Sequence, residues 1–111
     1  MAYKFLSDED LEVLKSLDSE RVSRIVIGAK FEYQAKKLVL ICGDFYKLEV
    51  PFDFFTDTEG KYHPDVKAAP DSNPDFTRLQ ITDGGLTITL GNFVAAVDAI
   101  LLAFRGLEPI Q

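Results

Sequence analysis

The residues that could do chemistry are few, and most of them fall in one segment of the chain. His63 is the only histidine and lies near Asp57, Glu59 and Asp65. Zinc sites need three or four ligands held at fixed geometry, which one imidazole among scattered carboxylates does not indicate. The run from Asp57 to Gly60 also lacks the ligand spacing and the closing glutamate of a calcium loop. We therefore predict neither a metal site nor a cofactor, and interpret the segment as a solvated acidic loop.

Neither the single cysteine nor the glycines form a catalytic motif. Cys42 follows the apolar run 38–41. A nucleophilic cysteine needs a base and an electropositive setting, and nothing in the spacing supplies them, so we predict a buried, inert thiol. Gly43, Gly84 and Gly85 belong to no G-x-G-x-x-G or P-loop pattern and are predicted to be turn residues. No catalytic residue is predicted.

Size and composition indicate one domain that spans residues 1–111. Hydrophobic residues make up 47% of the chain, which is enough for a core. A net charge of −6 lacks the electrostatic footprint of a nucleic-acid binder. No signal peptide is recognisable, and the longest apolar stretch, 93–104, is too short to cross a bilayer. With a lone cysteine, these features predict a cytoplasmic protein that binds no membrane.

The first half of the sequence predicts a helix followed by strands. Ser7 is a suitable N-cap for a helix over 8–17, and Asp10 stands three residues on, as in a capping box. Alternating apolar side chains predict a half-buried strand over 24–33. The continuous apolar run predicts a second strand over 37–42.

The turn after this second strand fixes how it pairs. We expect Gly43-Asp44 to be a two-residue turn between antiparallel strands. Leu38 and Leu40 fall on the other face of the strand, so the sequence leaves open that both faces are covered. The predicted pairs, which share one face, are Ile41 with Tyr46 and Val39 with Leu48. Val50 shares their face, and Pro51 ends the strand because proline cannot donate to a ladder.

A second hairpin is predicted from two strands, 77–82 and 86–90, joined through Asp83-Gly84-Gly85. A loop at 83–84 pairs Ile81 with Leu86, whereas a loop at 84–85 pairs Ile81 with Ile88. Both registers keep apolar side chains on one face, and the sequence leaves the choice open.

The segment 93–104 is predicted to be a helix capped by Asn92 and apolar almost all round. Its main stripe is Phe93, Val97, Ile100, Leu101 and Phe104, and Val94 and Leu102 lie away from it. The helix either lies across the sheet as part of the core or joins a second copy. An exposed apolar strip on a soluble protein tends to mark an interface, so we hypothesise that these seven residues form a homodimer contact.

The segment 57–75 holds three prolines and is predicted to be the one long loop. Before it, 52–55 is expected to form a short helical turn. Long loops in compact domains are often functional. The alternative function is therefore a small-molecule or metal-binding domain that uses this loop, with these candidate ligands: Asp53, Asp57, Glu59, His63 and Asp65.

The run 48–55 (Leu-Glu-Val-Pro-Phe-Asp-Phe-Phe), followed by a loop and the glycine-containing hairpin 76–90, resembles a family of small bacterial domains of unknown function. In that family a strand ends in V-P-x-D-W-F-P and a glycine precedes an isoleucine strand. Phe54 stands where the family tends to have tryptophan. The resemblance covers about half of the chain and implies a small α+β fold with a regulatory or interaction role. No functional residue carries over.

The sequence as a whole predicts an α+β domain. It has an antiparallel sheet of about five short strands, an N-terminal helix and a highly apolar C-terminal helix. The predicted function is a non-enzymatic protein-interaction or regulatory module. It acts as a homodimer or as a subunit bound to a protein partner.

Overall fold

The computed structural model describes residues 3–56 and 74–108. They form seven strands and four α-helices. The strands are β1 (Lys4–Phe5), β2 (Val26–Glu32), β3 (Lys37–Cys42), β4 (Lys47–Pro51), β5 (Leu79–Thr82), β6 (Thr87–Leu90) and β7 (Phe93–Ala96). The helices are α1 (Asp8–Leu14), α2 (Ser19–Val22), α3 (Asp53–Thr56) and α4 (Val97–Arg105). Within this part of the chain, no helix is long and apolar enough to cross a membrane.

The strands make two antiparallel sheets rather than the single sheet of about five that was predicted. One sheet has the order β1-β2-β3-β4 and the other β5-β6-β7. Strand β5 lies against β1 and β2, and helix α4 lies against β4 and β7. The α+β class with antiparallel strands is thus confirmed. The fully buried large side chains lie between these elements: Val26, Phe31, Leu38, Leu40, Val50, Phe54, Phe55, Ile88, Leu90, Val97, Ile100 and Leu101.

The N-terminal helix is shorter than predicted. Ser7 caps α1 by accepting from the Asp10 N–H at 3.2 Å, as the sequence indicates. The helix ends at Leu14, and Asp18 then caps a second, one-turn helix by accepting from the Arg21 N–H at 2.9 Å. The predicted helix over 8–17 is therefore three residues too long, and the one-turn helix α2, which has its own N-cap, lies beyond the predicted range.

The strand predicted over 24–33 is also shorter in the structure, where it is β2 (Val26–Glu32). Its pairing with β3 shifts between Val26 and Gly28, as at a β-bulge. The bulge interrupts the alternation, so Val26 is fully buried while Ile27 is only half-buried. Beyond the bulge the predicted alternation is restored, with Ala29 and Phe31 buried.

The register of the first hairpin differs from the prediction by one residue. The Phe45 N–H donates to the Cys42 carbonyl at 2.8 Å, and the Cys42 N–H donates to Tyr46 at 2.9 Å, so the loop holds three residues. Phe45 adopts φ 66, the left-handed conformation that closes such loops. The paired residues are therefore Leu40 with Leu48 and Leu38 with Val50, and all four are buried. Ile41 pairs with Lys47 and not with the predicted Tyr46.

The second hairpin follows one of its two predicted registers. Ile81 pairs with Ile88, and Leu79 pairs with Leu90, as a loop at 84–85 requires. Asp83–Gly85 forms a 3-10 turn between the strands. The short helix expected after Pro51 is also present as α3, which buries Phe54 and Phe55.

The prediction of one helix over 93–104 is wrong in its first four residues. Gly91, at φ 67, begins a two-residue turn that places Phe93 opposite Leu90. The chain then pairs with β6 through Ala96, with Phe93 and Ala95 buried and Val94 exposed. The helix begins only at Val97, because strand pairing overrides the helix propensity of the alanines.

Candidate interaction surface

Helix α1 buries none of its own side chains. Val13 is 57% exposed, and Leu11 and Leu14 are half-buried. The preceding Leu6 holds the segment to the sheet, since it is buried and its N–H donates to the Ile27 carbonyl at 3.0 Å. The first turn is acidic, with Asp8, Glu9 and Asp10. The result is an acidic helix that keeps apolar side chains at the surface.

An apolar groove with a volume of about 240 Å³ is formed in part by the segment that follows α1 in the chain. Its apolar walls are Leu17, Ile25 and Leu86, and three charged residues complete the lining: Arg21, Arg24 and Asp98. Leu86 is 50% exposed although it is a large aliphatic side chain. We call these six residues the groove.

The position of Leu86 is fixed by its neighbours. Gly85 approaches the chain so closely that an added Cβ would lie 2.2 Å from Ile25 Cγ2 and 2.6 Å from the Val26 carbonyl oxygen. On the other side, the Val97 N–H donates to the Leu86 carbonyl at 3.0 Å. The backbone around Leu86 therefore packs against β2 and is hydrogen-bonded to α4. The Leu86 side chain forms one wall of the groove.

The two arginines of the groove have different roles. Arg24 donates from Nε and Nη2 to the Glu108 carbonyl at 3.2 and 3.1 Å, and from Nη1 to the Glu20 carbonyl at 2.9 Å. It therefore ties the end of the chain's described part to α2. Arg21 is exposed and forms no ion pair with any residue in the described ranges. Arg21 is thus a cation available at the rim.

A charged network supports the tip of the first hairpin. Arg105 donates to both carboxylate oxygens of Asp44 and to the Ser23 carbonyl, and its guanidinium lies 4.0 Å from the centre of the Tyr46 ring. The hydrogen bonds to Asp44 raise the pKa of Arg105. Burial opposes ionisation of Asp44, but bonds from Arg105 and the Tyr46 N–H prevail and lower its pKa. Phe45, between Asp44 and Tyr46 at the tip, is 80% exposed.

Cys42 lies beneath this tip. Its side chain is fully buried, and burial raises the pKa of the thiol even though Arg105 acts in the opposite direction. A thiolate is therefore disfavoured at neutral pH. The prediction of a buried thiol is confirmed.

Residues on either side of the predicted 57–75 loop meet in an aromatic cluster. The rings of Phe52 and Phe76 stack with their centres 4.1 Å apart, and the Tyr33 hydroxyl donates to the Phe76 carbonyl at 2.6 Å. Asp53 is exposed at the start of α3. The other candidate ligands lie outside the described residues: Asp57, Glu59, His63 and Asp65. The ligand-binding alternative therefore stays a prediction.

The seven residues predicted as a homodimer contact are not one surface. Phe93, Val97, Ile100 and Leu101 are buried within the chain, and Phe104 is half-buried against the core. Only Val94 and Leu102 are exposed, at 37% and 41%, and they lie on different elements. The predicted contact surface is therefore wrong, because the two sheets and α4 cover each other. A homodimer through another surface stays a prediction.

The described residues contain no group of three His, Cys, Asp or Glu side chains that could hold a metal ion. Comparison with protein-family models, with curated proteins and with solved structures found no match.

The groove was missed by the sequence analysis, since it assembles from segments far apart in the chain. One signal did exist. In the register with the loop at 84–85, Leu86 has no apolar strand partner, so a large aliphatic residue stands alone beside a turn. The other two apolar walls gave no such signal, because Leu17 fits the apolar stripe of the predicted helix and Ile25 fits the alternation of the predicted strand.

Proposed function

We propose that this protein is an interaction module that acts as a homodimer, in which helix α1 of each copy lies in the groove of the other. The observation that carries the proposal is that α1 buries no residue of its own while an apolar groove lies open after it. Helix α1 and the groove both leave apolar side chains at the surface. These side chains are removed from water when α1 of one copy packs into the groove of the other.

Charge complementarity supports a second copy as the occupant. The first turn of α1 is acidic, and Arg21 is an unpaired cation at the groove among the described residues. Glu9 lies one helical turn before Val13, so the carboxylate and the exposed apolar side chain share a face. A helix that places Val13 on Leu86 would thus bring Glu9 within reach of Arg21.

Symmetry supports the same arrangement. Leu17 belongs to the groove and follows α1 by only three residues. A twofold axis near Leu17 would therefore place each α1 over the other copy's groove, and one contact would be made twice. Because α1 is short, the interface is small, and we expect a dissociation constant on the order of 10 µM.

The proposal is tested by sedimentation velocity over a concentration series that brackets this value. The wild type is expected to pass from monomer to dimer. Leu86→Glu and Arg21→Glu are each expected to weaken association at least tenfold, because one charges the apolar wall and the other repels Glu9. The matched control is Lys36→Glu, an exposed turn residue with the same change of charge and no place in the groove.

A charge exchange identifies the contact. Glu9→Lys alone is expected to be monomeric, and mixing it with Arg21→Glu is expected to restore a mixed dimer. A wild type that stays monomeric up to about 1 mM, the range of the weakest specific complexes, would overturn the homodimer. A dimer that tolerates both Leu86→Glu and Arg21→Glu would show that another surface mediates it.

A further inference from the structure

A second, polar pocket lies at the seam between the two sheets, where the edge strand β1 meets β5. Its volume is about 180 Å³. Its lining is Lys4, Thr77, Arg78, Leu79, Gln80, Thr89 and Gly91. The pocket shares no residue with the groove.

Two cations line this pocket in an otherwise acidic protein. Lys4 comes from β1 and Arg78 from the segment before β5, and neither forms an ion pair with a described residue. The protein as a whole carries a net charge of −6. Two cations that reach one concave site from different sheets concentrate positive charge there.

The remaining polar groups divide into those already occupied and those free to bind. The Thr77 hydroxyl donates to Asp75 at 2.6 Å, and the Gly91 N–H donates to the Arg78 carbonyl at 3.1 Å. The Thr89 hydroxyl points to the Gln80 carbonyl at 3.5 Å. The donors that no described contact uses are therefore the Lys4 ammonium, the Arg78 guanidinium and the Gln80 amide.

The neighbouring carboxylate, Asp75, is bonded to Thr77 and forms no ion pair with either cation among the described residues. Asp75 accepts from both the N–H and the hydroxyl of Thr77, and these bonds lower its pKa. Its negative charge lies close to Gly91 and partly offsets that of Arg78. An anion in the pocket is thus attracted by two cations and repelled by one carboxylate, which predicts weak but specific binding.

We propose that this pocket binds a phosphate group, either free phosphate or a small phosphomonoester. Arg78 supplies a planar fork that matches two phosphate oxygens, and Lys4 supplies a compact cation for a third. A site of this size takes one phosphate group with a few further atoms, which distinguishes it from a nucleic-acid surface. The affinity is set by charge, so it falls as ionic strength rises.

Isothermal titration calorimetry with inorganic phosphate and with glycerol 3-phosphate tests the proposal. The wild type is expected to bind at least one of them with a dissociation constant of about 1 mM. The double variant Lys4→Gln with Arg78→Gln is expected to lose at least tenfold in affinity. The control is Lys36→Gln with Lys47→Gln, which removes the same two charges from exposed residues outside the pocket.

Tighter binding of glycerol 3-phosphate identifies a phosphomonoester as the ligand class, and equal or weaker binding identifies free phosphate. Absence of heat for both probes would overturn the proposal. An equal loss in the control variant would also overturn it, because the effect would then reflect net charge alone. The titration is repeated on Arg21→Glu, so that failure of the homodimer proposal and failure of this one are separately visible.

Discussion

Replacement of Gly85 by alanine tests whether the 83–86 turn is locked onto β2. The new Cβ would lie 2.2 Å from Ile25 Cγ2 and 2.6 Å from the Val26 carbonyl oxygen, far inside the contact distance of about 3.5 Å. Gly85 also has φ 95, where an L-residue costs about 1–2 kcal/mol. Overpacking adds about 1–3 kcal/mol, and the less flexible unfolded chain returns about 0.4–1 kcal/mol. The net loss of unfolding free energy is therefore about 2–4 kcal/mol.

Gly84→Ala is the matched control, because it has φ 63 and no atom within 4 Å of an added Cβ. It carries the backbone strain without the clash, so we expect a loss of only about 0.5–1 kcal/mol. Urea unfolding followed by far-UV circular dichroism measures both, and Gly85→Ala should lower the midpoint by about 1–2 M. Equal losses for the two variants would refute the argument, because the close approach would then contribute nothing.

Two further predictions concern α4 and the hairpin tip. Leu101→Ala removes a buried side chain and should cost about 2–5 kcal/mol in thermal or urea unfolding, whereas Leu102→Ala, 41% exposed, should cost less than about 0.5 kcal/mol. Similar costs would contradict the burial of α4. The pKa of Asp44 is lowered in the folded state, so its contribution to stability is present above about pH 4 and is lost as the pH falls through the lowered value. Unfolding of wild type and Asp44→Asn compared from pH 7 to pH 2 should show the wild type losing more stability, and parallel curves would contradict this.

The two hairpins show where sequence patterns specify a register and where they do not. Between β5 and β6, Asp83, Gly84 and Gly85 all have positive φ, and the observed register is one of the two that the apolar alternation allowed. In the first hairpin the left-handed residue is Phe45, which no turn preference selects. Its extra position shifts the register by one residue, and a shift of one exchanges the two faces of the strand. The predicted partners of Val39 and Ile41 were wrong for that reason alone.

The predicted helix over 93–104 failed through long-range pairing. Val94, Ala95 and Ala96 are compatible with a helix or a strand, and only the presence of β6 beside them decides the outcome. The helical stripe beyond Val97 was predicted correctly, because its spacing is local. The groove and the phosphate pocket could not be predicted in the same way. Each is assembled from residues of three or more separate segments of the chain, whose approach depends on how the sheets pack.

The burial of α4 changes which part of the molecule can drive association. Five of the seven apolar residues that were expected to meet a second copy are buried or half-buried within the chain, where α4 packs against β4 and β7. The proposed contact instead uses α1, and the preceding Leu6 attaches this segment to the sheet. An element with no buried side chain can adjust its position without breaking the core. The proposed association through α1 therefore requires no rearrangement of the two sheets, and it leaves the polar pocket between them unchanged because the pocket and the groove share no residue.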